Sequence, residues 1–263
     1  MATYKERGND RFFCSEGVEV NFGGLRALNN VSIVVGEKEI KGLIGPNGAG
    51  KSTFFNVATG YIKASSGSIF FEGKDISSLK PHEIAQKGII RTFQKRGILP
   101  GLTVLENVLI GYHRLLPEMK LWHIGLRLKK FKSLERKAIA EAMDVIGSVG
   151  LGDVSDHLAR DLSFGQQTLV EIARALISKP KLLMLDEPAA GLSSSEREHV
   201  SQLLKRLAQS HGVSLLISDH VMDFVMDVCQ NLSVLNFGEI LAEGPADHIR
   251  QHPRVLEAYI GTG

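Results

Sequence analysis

Two short stretches of the chain carry groups suited to a polyphosphate. The first, Gly45-Pro46-Asn47-Gly48-Ala49-Gly50-Lys51-Ser52-Thr53, has the spacing G-x-x-x-x-G-K-[ST]. Its glycines let the backbone turn so that successive N–H groups aim inward and form a concave nest for phosphate oxygens. A helix beginning at Lys51 points its positive end at the same place. Lys51 supplies a compact cation for the β- and γ-phosphates, and the Ser52 hydroxyl suits Mg²⁺. A kinase, a GTPase or a DNA-repair ATPase would use such a loop equally well.

The second stretch narrows the chemistry. Residues 181–187 read KLLMLDE, an apolar strand that ends in two adjacent carboxylates. Such a strand delivers Asp186 to the edge of a sheet, where it can hold Mg²⁺ through water. Glu187 reaches one residue further, far enough to polarise an attacking water or take its proton. Carboxylates following a buried strand are costly without cations nearby, which weakens their reading as solvated surface charge. Loop and carboxylates together point to hydrolysis rather than binding alone.

These groups need a scaffold, and the surrounding pattern predicts one. Residues 18–36 read as two short strands around the Gly23-Gly24 turn, and residues 68–73 as a second hairpin. The run Ile40 to Ile44 is a strand leading directly into the glycine loop, with a helix through Phe54, Phe55 and Val57 behind it. From Thr103 to Ser148 the periodicity is helical: Leu121, Ile124, Leu128, Phe131 and Leu134 recur at three- and four-residue steps. Strand and helix then alternate: helix Gln167 to Ile177, strand Lys181 to Leu185, helix Ser194 to Gln209, strand Val213 to Ile217. Alternation of this kind predicts a parallel sheet with right-handed crossovers. A hairpin around Phe237-Gly238 and a short helix close the chain.

Composition agrees with a globular α/β protein. Of 263 residues, 43% are hydrophobic and 23% charged, enough for a core. The net charge of +2 gives no reason to expect nucleic acid as a partner. Cys14 and Cys229 have no Cys or His at metal-ligand spacing and read as two reduced thiols. The first dozen residues are polar, without the apolar run of a signal peptide. No uncharged apolar stretch approaches the ~20 residues needed to cross a bilayer.

Between the two phosphate-related stretches lies Leu162-Ser163-Phe164-Gly165-Gln166-Gln167, directly ahead of a helix. Here the chain resembles the ATP-binding-cassette (ABC) ATPases, whose signature is usually L-S-G-G-Q. The resemblance runs from about Val18 to Ala246, with the elements in the family's order. It implies a P-loop NTPase core with a parallel sheet, an N-terminal antiparallel β subdomain and an inserted helical subdomain. The core is expected over residues 12–100 and 180–250, the helical subdomain over 101–179 and a tail over 251–263. It further implies that Phe22 stacks on adenine, that Gln94 touches Mg²⁺ or water and takes part in catalysis, and that His220 is catalytic. Taken singly, Phe22 is equally a core residue, Gln94 a surface polar group and His220 a structural histidine.

In this family Ser163, Gly165 and Gln166 close over the ATP held by a second cassette, so the resemblance implies an ATP sandwich between two cassettes, identical or not. Two departures bear on that: Phe164 replaces the first glycine of the signature, and Ser193 stands where most relatives have aspartate. PNGAGKST followed by FFN, the block GIIRTFQ and the run DEPAAGL are similar to ATPases of branched-chain amino-acid uptake systems. Urea or amide importers, lipopolysaccharide-type transporters and soluble ABC ATPases share parts of the pattern and stay open as alternatives. The implied partners are two membrane permeases and, indirectly, an extracytoplasmic binding protein, with this chain peripheral on the cytoplasmic face of the inner membrane. The basic run Arg127, Lys129, Lys130, Lys132, Arg136 and Lys137 suits lipid headgroups, but a solvated helix face explains it as well.

Overall fold

A computed structural model describes residues 12–92, 97–115 and 128–260. The chain opens with strands β1 (Phe13–Phe22), β2 (Leu25–Val31) and β3 (Val34–Val35), then β4 (Ile40–Ile44) feeds helix α1 (Lys51–Ala58). Next come β5 (Ser66–Phe71), β6 (Lys74–Asp75), α2 (Pro81–Lys87) and β7 (Ile89–Arg91). Three helices follow: α3 (Val104–Gly111), α4 (Leu128–Ser148) and α5 (Phe164–Leu176). Alternation resumes with β8 (Leu182–Asp186), α6 (Ser194–His211), β9 (Ser214–Ser218), α7 (Met222–Val228), β10 (Asn231–Asn236) and β11 (Glu239–Pro245). Short helices α8 (Ala246–Arg250) and α9 (Pro253–Ile260) end the described chain.

The chain divides into two compact units, one of residues 1–91, 181–190 and 201–263 and the other of residues 92–180 and 191–200. In the first unit β1, β2, β3, β5 and β6 make an antiparallel sheet, and a second sheet runs in the order β11-β10-β4-β9-β8-β7. Its inner pairs are parallel and β11 is the antiparallel edge. Strands β4, β8 and β9 are buried along their whole length, which is why their sequences read as apolar runs rather than alternations. Phe54 and Phe55 of α1 share one buried cluster with Phe13, Val18 and Val20 of β1 and with Leu43, Met184 and Leu216 of the parallel strands. Each fully buried side chain of this size contributes roughly 1.5–3 kcal/mol. Helix α1 is therefore fixed by core packing on both sides, and the loop ahead of it inherits that rigidity.

Among the elements that escaped the sequence reading are β7, α2 and α7. Strand β7 is only three residues long, and α2 lies between Pro81 at its first position and Gly88, which ends it at φ 109°. Glu83 accepts the Lys80 N–H at 2.7 Å and closes the start of α2. Helix α5 begins at Phe164, three residues earlier than its apolar period suggests, because Ser163 caps it: the Gln166 N–H donates to Ser163 Oγ at 3.2 Å and the Ser163 N–H to Gln166 Oε1 at 3.0 Å. Cys14 and Cys229 are both buried, and neither is in a disulfide. Among the described residues no helix is long and apolar enough to cross a membrane.

The brief strand β7 matters for what it carries. Arg91, its last residue, donates to Asp186 Oδ2 at 2.7 Å from one terminal nitrogen and to Asn56 Oδ1 at 2.7 Å from the other. Its guanidinium also lies 5.3 Å from the centre of the Phe55 ring. Both side chains of the Arg91–Asp186 pair are almost fully buried. Removing one partner of such a pair strands the other charge in a poor solvent, whereas replacing both by apolar groups is tolerated. Arg91→Met should therefore lose about 3–5 kcal/mol of stability in urea unfolding, and Arg91→Met with Asp186→Leu should regain most of it.

In the second unit α3, α4 and α5 pack on one another, and Val104, Val108, Ile146, Val170 and Ala173 on these helices are buried. Asn107 is fully buried but satisfied: its amide donates to the carbonyls of Leu99, Leu102 and Thr103 and its oxygen accepts the Leu99 N–H at 2.8 Å. Gly111 closes the contact between α3 and α5, since a Cβ there would lie 2.0 Å from the Arg174 carbonyl oxygen. Backbone cannot yield as a flexible side chain can. Gly111→Ala should cost about 1–3 kcal/mol by overpacking, read as a lower urea midpoint at unchanged m-value.

Candidate functional site

In the first unit the chemistry collects at the carboxyl ends of three adjacent parallel strands, β4, β9 and β8, where open α/β sheets place their ligands. Strand β4 ends at Ile44 and the glycine loop begins. Gly45 has φ 153°, and a Cβ on it would lie 2.0 Å from the Leu235 carbonyl oxygen of β10. Gly50 sits at φ 105° as the N-cap of α1, with the Phe54 N–H donating to its carbonyl at 2.9 Å. The Gly238 N–H of the β10–β11 turn donates to the Ala49 carbonyl at 2.9 Å and pins the loop from outside. Pro46 is half-buried, Ala49 buried, and Asn47, Gly48 and Ser52 are exposed; Thr53 is half-buried behind them.

Lys51 does not extend into solvent. Its Nζ donates to the carbonyls of Gly45 at 2.6 Å and Pro46 at 2.9 Å, folding the ammonium back across its own loop. Burial lowers its pKa, and the nearby carboxylates of Glu187, Asp186 and Asp219 oppose that shift. Asp186 closes β8, and burial raises its pKa while the Arg91 hydrogen bond and charge hold it down. Glu187 follows at φ 53°, a conformation that costs a non-glycine residue energy, and its N–H donates to the Ser218 carbonyl at 2.6 Å. Strain of this order at the residue expected to handle water fits a functional position.

Strand β9 supplies the other wall. Asp219 is fully buried and accepts the N–H groups of Ala189 at 2.8 Å, His220 at 2.8 Å and Val221 at 2.9 Å. Burial still pushes its pKa upward, against those hydrogen bonds. His220 is half-exposed, with Nδ1 3.7 Å from Glu187 Oε1 and 3.8 Å from Asp219 Oδ1. Those separations exceed a direct hydrogen bond, so the imidazole stands beside Glu187 without being consumed by it. Phe22, at the end of β1, is 47% exposed and is thus not a core residue.

The second unit holds the remaining candidates. Ser163, Gly165 and Gln166 form the start of α5, with the Gln166 side chain engaged in the capping box. Phe164 is 59% exposed and lies in the first helical turn, so its backbone needs no glycine. Gly165 is different: a Cβ there would lie 2.5 Å from Glu196 Oε1. Ser193 precedes α6, where its N–H and Oγ both donate to Glu196 Oε2, at 2.9 and 2.8 Å.

Gln94 lies outside the described residues, as do Leu121, Ile124 and Arg127. Of the other basic residues between 127 and 137, Arg136 and Lys137 have described side chains; both are exposed, and Lys137 lies 3.8 Å from Glu141. Arg91, Asp219 and Glu196 were not singled out from sequence. Asp219 had a usable signal, a carboxylate next to His220 at the end of an apolar strand. Arg91 had none, since its partner Asp186 lies far away along the chain, whereas Glu196 had a local one, the S-x-x-E spacing from Ser193 that starts a helix.

Known proteins place this arrangement. The model of the ABC transporter family matches residues 28–190, and that of the branched-chain amino acid ATP-binding cassette transporters matches residues 239–263. The chain is 40% identical over 246 residues to the high-affinity branched-chain amino acid transport ATP-binding protein BraF of Pseudomonas aeruginosa, covering 93% of this chain and 96% of that one. Its fold is similar to the crystal structure of a nucleotide-free ATP-binding cassette from an ABC transporter, with TM-score 0.84, 36% identity and coverage of 95% and 99%. It is also similar, at TM-score 0.74 and 26% identity over 89% of this chain and 98% of the other, to a dimeric post-hydrolysis cassette bound to ADP and Pi. The chain belongs to the ABC transporter family, as one of its ATP-hydrolysing cassettes.

Proposed function

We propose that the chain powers an ABC importer of branched-chain or other hydrophobic amino acids. The observation that carries this is the likeness, across nearly the whole chain, to a branched-chain amino acid transport ATP-binding protein, joined to the separate match at residues 239–263. Its partners in that role are a second cassette, two membrane permeases and, through them, a binding protein outside the membrane. The chain itself sits peripherally on the cytoplasmic face.

Within the site the geometry of the described residues supports the following roles, and the family resemblance supplies that of Gln94. Phe22 offers an exposed ring for adenine. The N–H groups from Asn47 to Thr53, at the N-terminal end of α1, receive the phosphates. Lys51 already faces into the loop and exchanges two neutral carbonyls for charged phosphate oxygens. Glu187 takes a proton from the attacking water as its oxygen bonds to the γ-phosphorus and ADP departs. His220, beside Glu187, donates toward the γ-phosphate, and Gln94 orients water or metal.

Mg²⁺ fits this residue set. Asp186 is a buried carboxylate whose ionisation burial opposes, so a further cation offsets a cost that Arg91 only partly meets. Ser52 and, as the family resemblance implies, Gln94 would supply the neutral oxygens. When bound, the ion neutralises charge on the β- and γ-phosphates.

Glu187→Gln should retain ATP affinity within a few-fold while turnover falls about 10²–10⁴-fold, the contribution typical of a general base. Lys51→Ala should instead weaken ATP binding in equilibrium titration. Normal turnover in Glu187→Gln would remove Glu187 from the role of base. The transport assignment is tested by pulling the tagged chain from detergent-solubilised membranes and identifying what accompanies it. Multi-helix permeases with an amino-acid-binding protein support it; ribosomal or DNA-associated proteins alone would overturn it.

A further inference from the structure

Two donors at the start of α5, the Ser163 hydroxyl and the Gly165 N–H, converge on one oxygen, Glu196 Oε1, at 2.9 and 3.0 Å. The other oxygen, Oε2, accepts the Ser193 N–H and Oγ. These hydrogen bonds, those from Ser193 first and those from Ser163 and Gly165 after them, hold the Glu196 carboxyl down at about 2, so it is an anion throughout the physiological range. Helix α5 is 13 residues long and adds its positive end to the same spot. Gly165 is the residue that makes room, since any side chain would strike the carboxylate. The seat for an anion at this loop therefore already contains one, contributed by the chain itself.

Resting on the reading that Ser163 and Gly165 face the γ-phosphate of a second cassette, we propose that Glu196 is a resident stand-in for that phosphate. It must leave the seat before cassettes can pair. The same two donors cannot serve a carboxylate and a phosphate oxygen together, and the two anions repel at contact distance. Departure does not require α6 to unwind. The Ser193 bonds to Oε2 remain available as its N-terminal cap while Oε1 swings away. Glu196 thus acts as a positioning residue: it keeps Ser163 and the Gly165 N–H aimed in the unpaired chain, and it sets how much ATP is needed to displace it.

The test uses the chain assembled with the partners it co-purifies with, alongside the chain alone. Glu196→Gln keeps the size of the side chain and the S-x-x-Q form of the cap but removes the charge. It should lower the ATP concentration for half-maximal turnover by about five-fold or more, the scale of coupling between linked sites, while ATP affinity of the isolated chain stays unchanged. Glu196→Asp keeps the charge but is one methylene short of the seat, and should shift half-saturation the same way. Unchanged or raised half-saturation in both variants would overturn the proposal. Ser163→Ala separates the two levels. If it slows turnover while the Glu196 variants change nothing, only the role of Glu196 falls; if it too changes nothing, the reading of the loop falls and this inference with it.

Discussion

Lys51 is buried among the carboxylates of Asp186, Glu187 and Asp219, and the site depends on that one concentration of opposite charge. Carboxylates at the ends of two adjacent buried strands would repel each other and resist ionisation if left alone. The chain answers with two cations drawn from different places: Lys51 from the start of α1, and Arg91 from the end of β7. The remaining polar atoms of Asp219 are met by backbone N–H groups. What results is a cluster balanced enough to fold, in which the Lys51 ammonium donates to the carbonyls of Gly45 and Pro46.

Sheet order gathers these groups at one edge of the sheet. Because β9 lies between β4 and β8, the glycine loop, the Asp186–Glu187 pair and the Asp219–His220 pair all leave the sheet at the same edge. Parallel pairing of Asp186 with Ser218 sets Glu187 level with Asp219, which is how Glu187 and His220 come within 3.7 Å. The core beneath is apolar and continuous through Phe54 and Phe55, so the helix behind the loop cannot drift. Positioning here is a property of strand register rather than of any single hydrogen bond.

Much of this was legible in the sequence because it is local. The glycine loop, the carboxylates after KLLML, and the serine that starts α5 each declare themselves within a few residues. The apolar runs of β4, β8 and β9 were equally plain, since strands buried on both faces need no alternation. What could not be read depends on chain segments meeting. Arg91 belongs to a strand too short to show a pattern, and its partner Asp186 is far away in sequence. Glu196 looked like one more charge on a helix until the fold set it against Ser163. Phe164 looked like a loss of backbone freedom, yet it falls at a helical position where glycine is not required.

The central claim is that the loop at Gly45–Thr53 of one cassette works against the Ser163–Gln166 segment of another. Cysteines at Asn47 and Phe164, both exposed, test it directly, since Cys14 and Cys229 are buried and will not compete. In the Glu187→Gln background, mild oxidation should give a covalent dimer that forms with ATP and not without it. A cross-link indifferent to ATP, or none in its presence either to an identical cassette or to a co-purified cassette carrying the matching cysteines, would contradict the account.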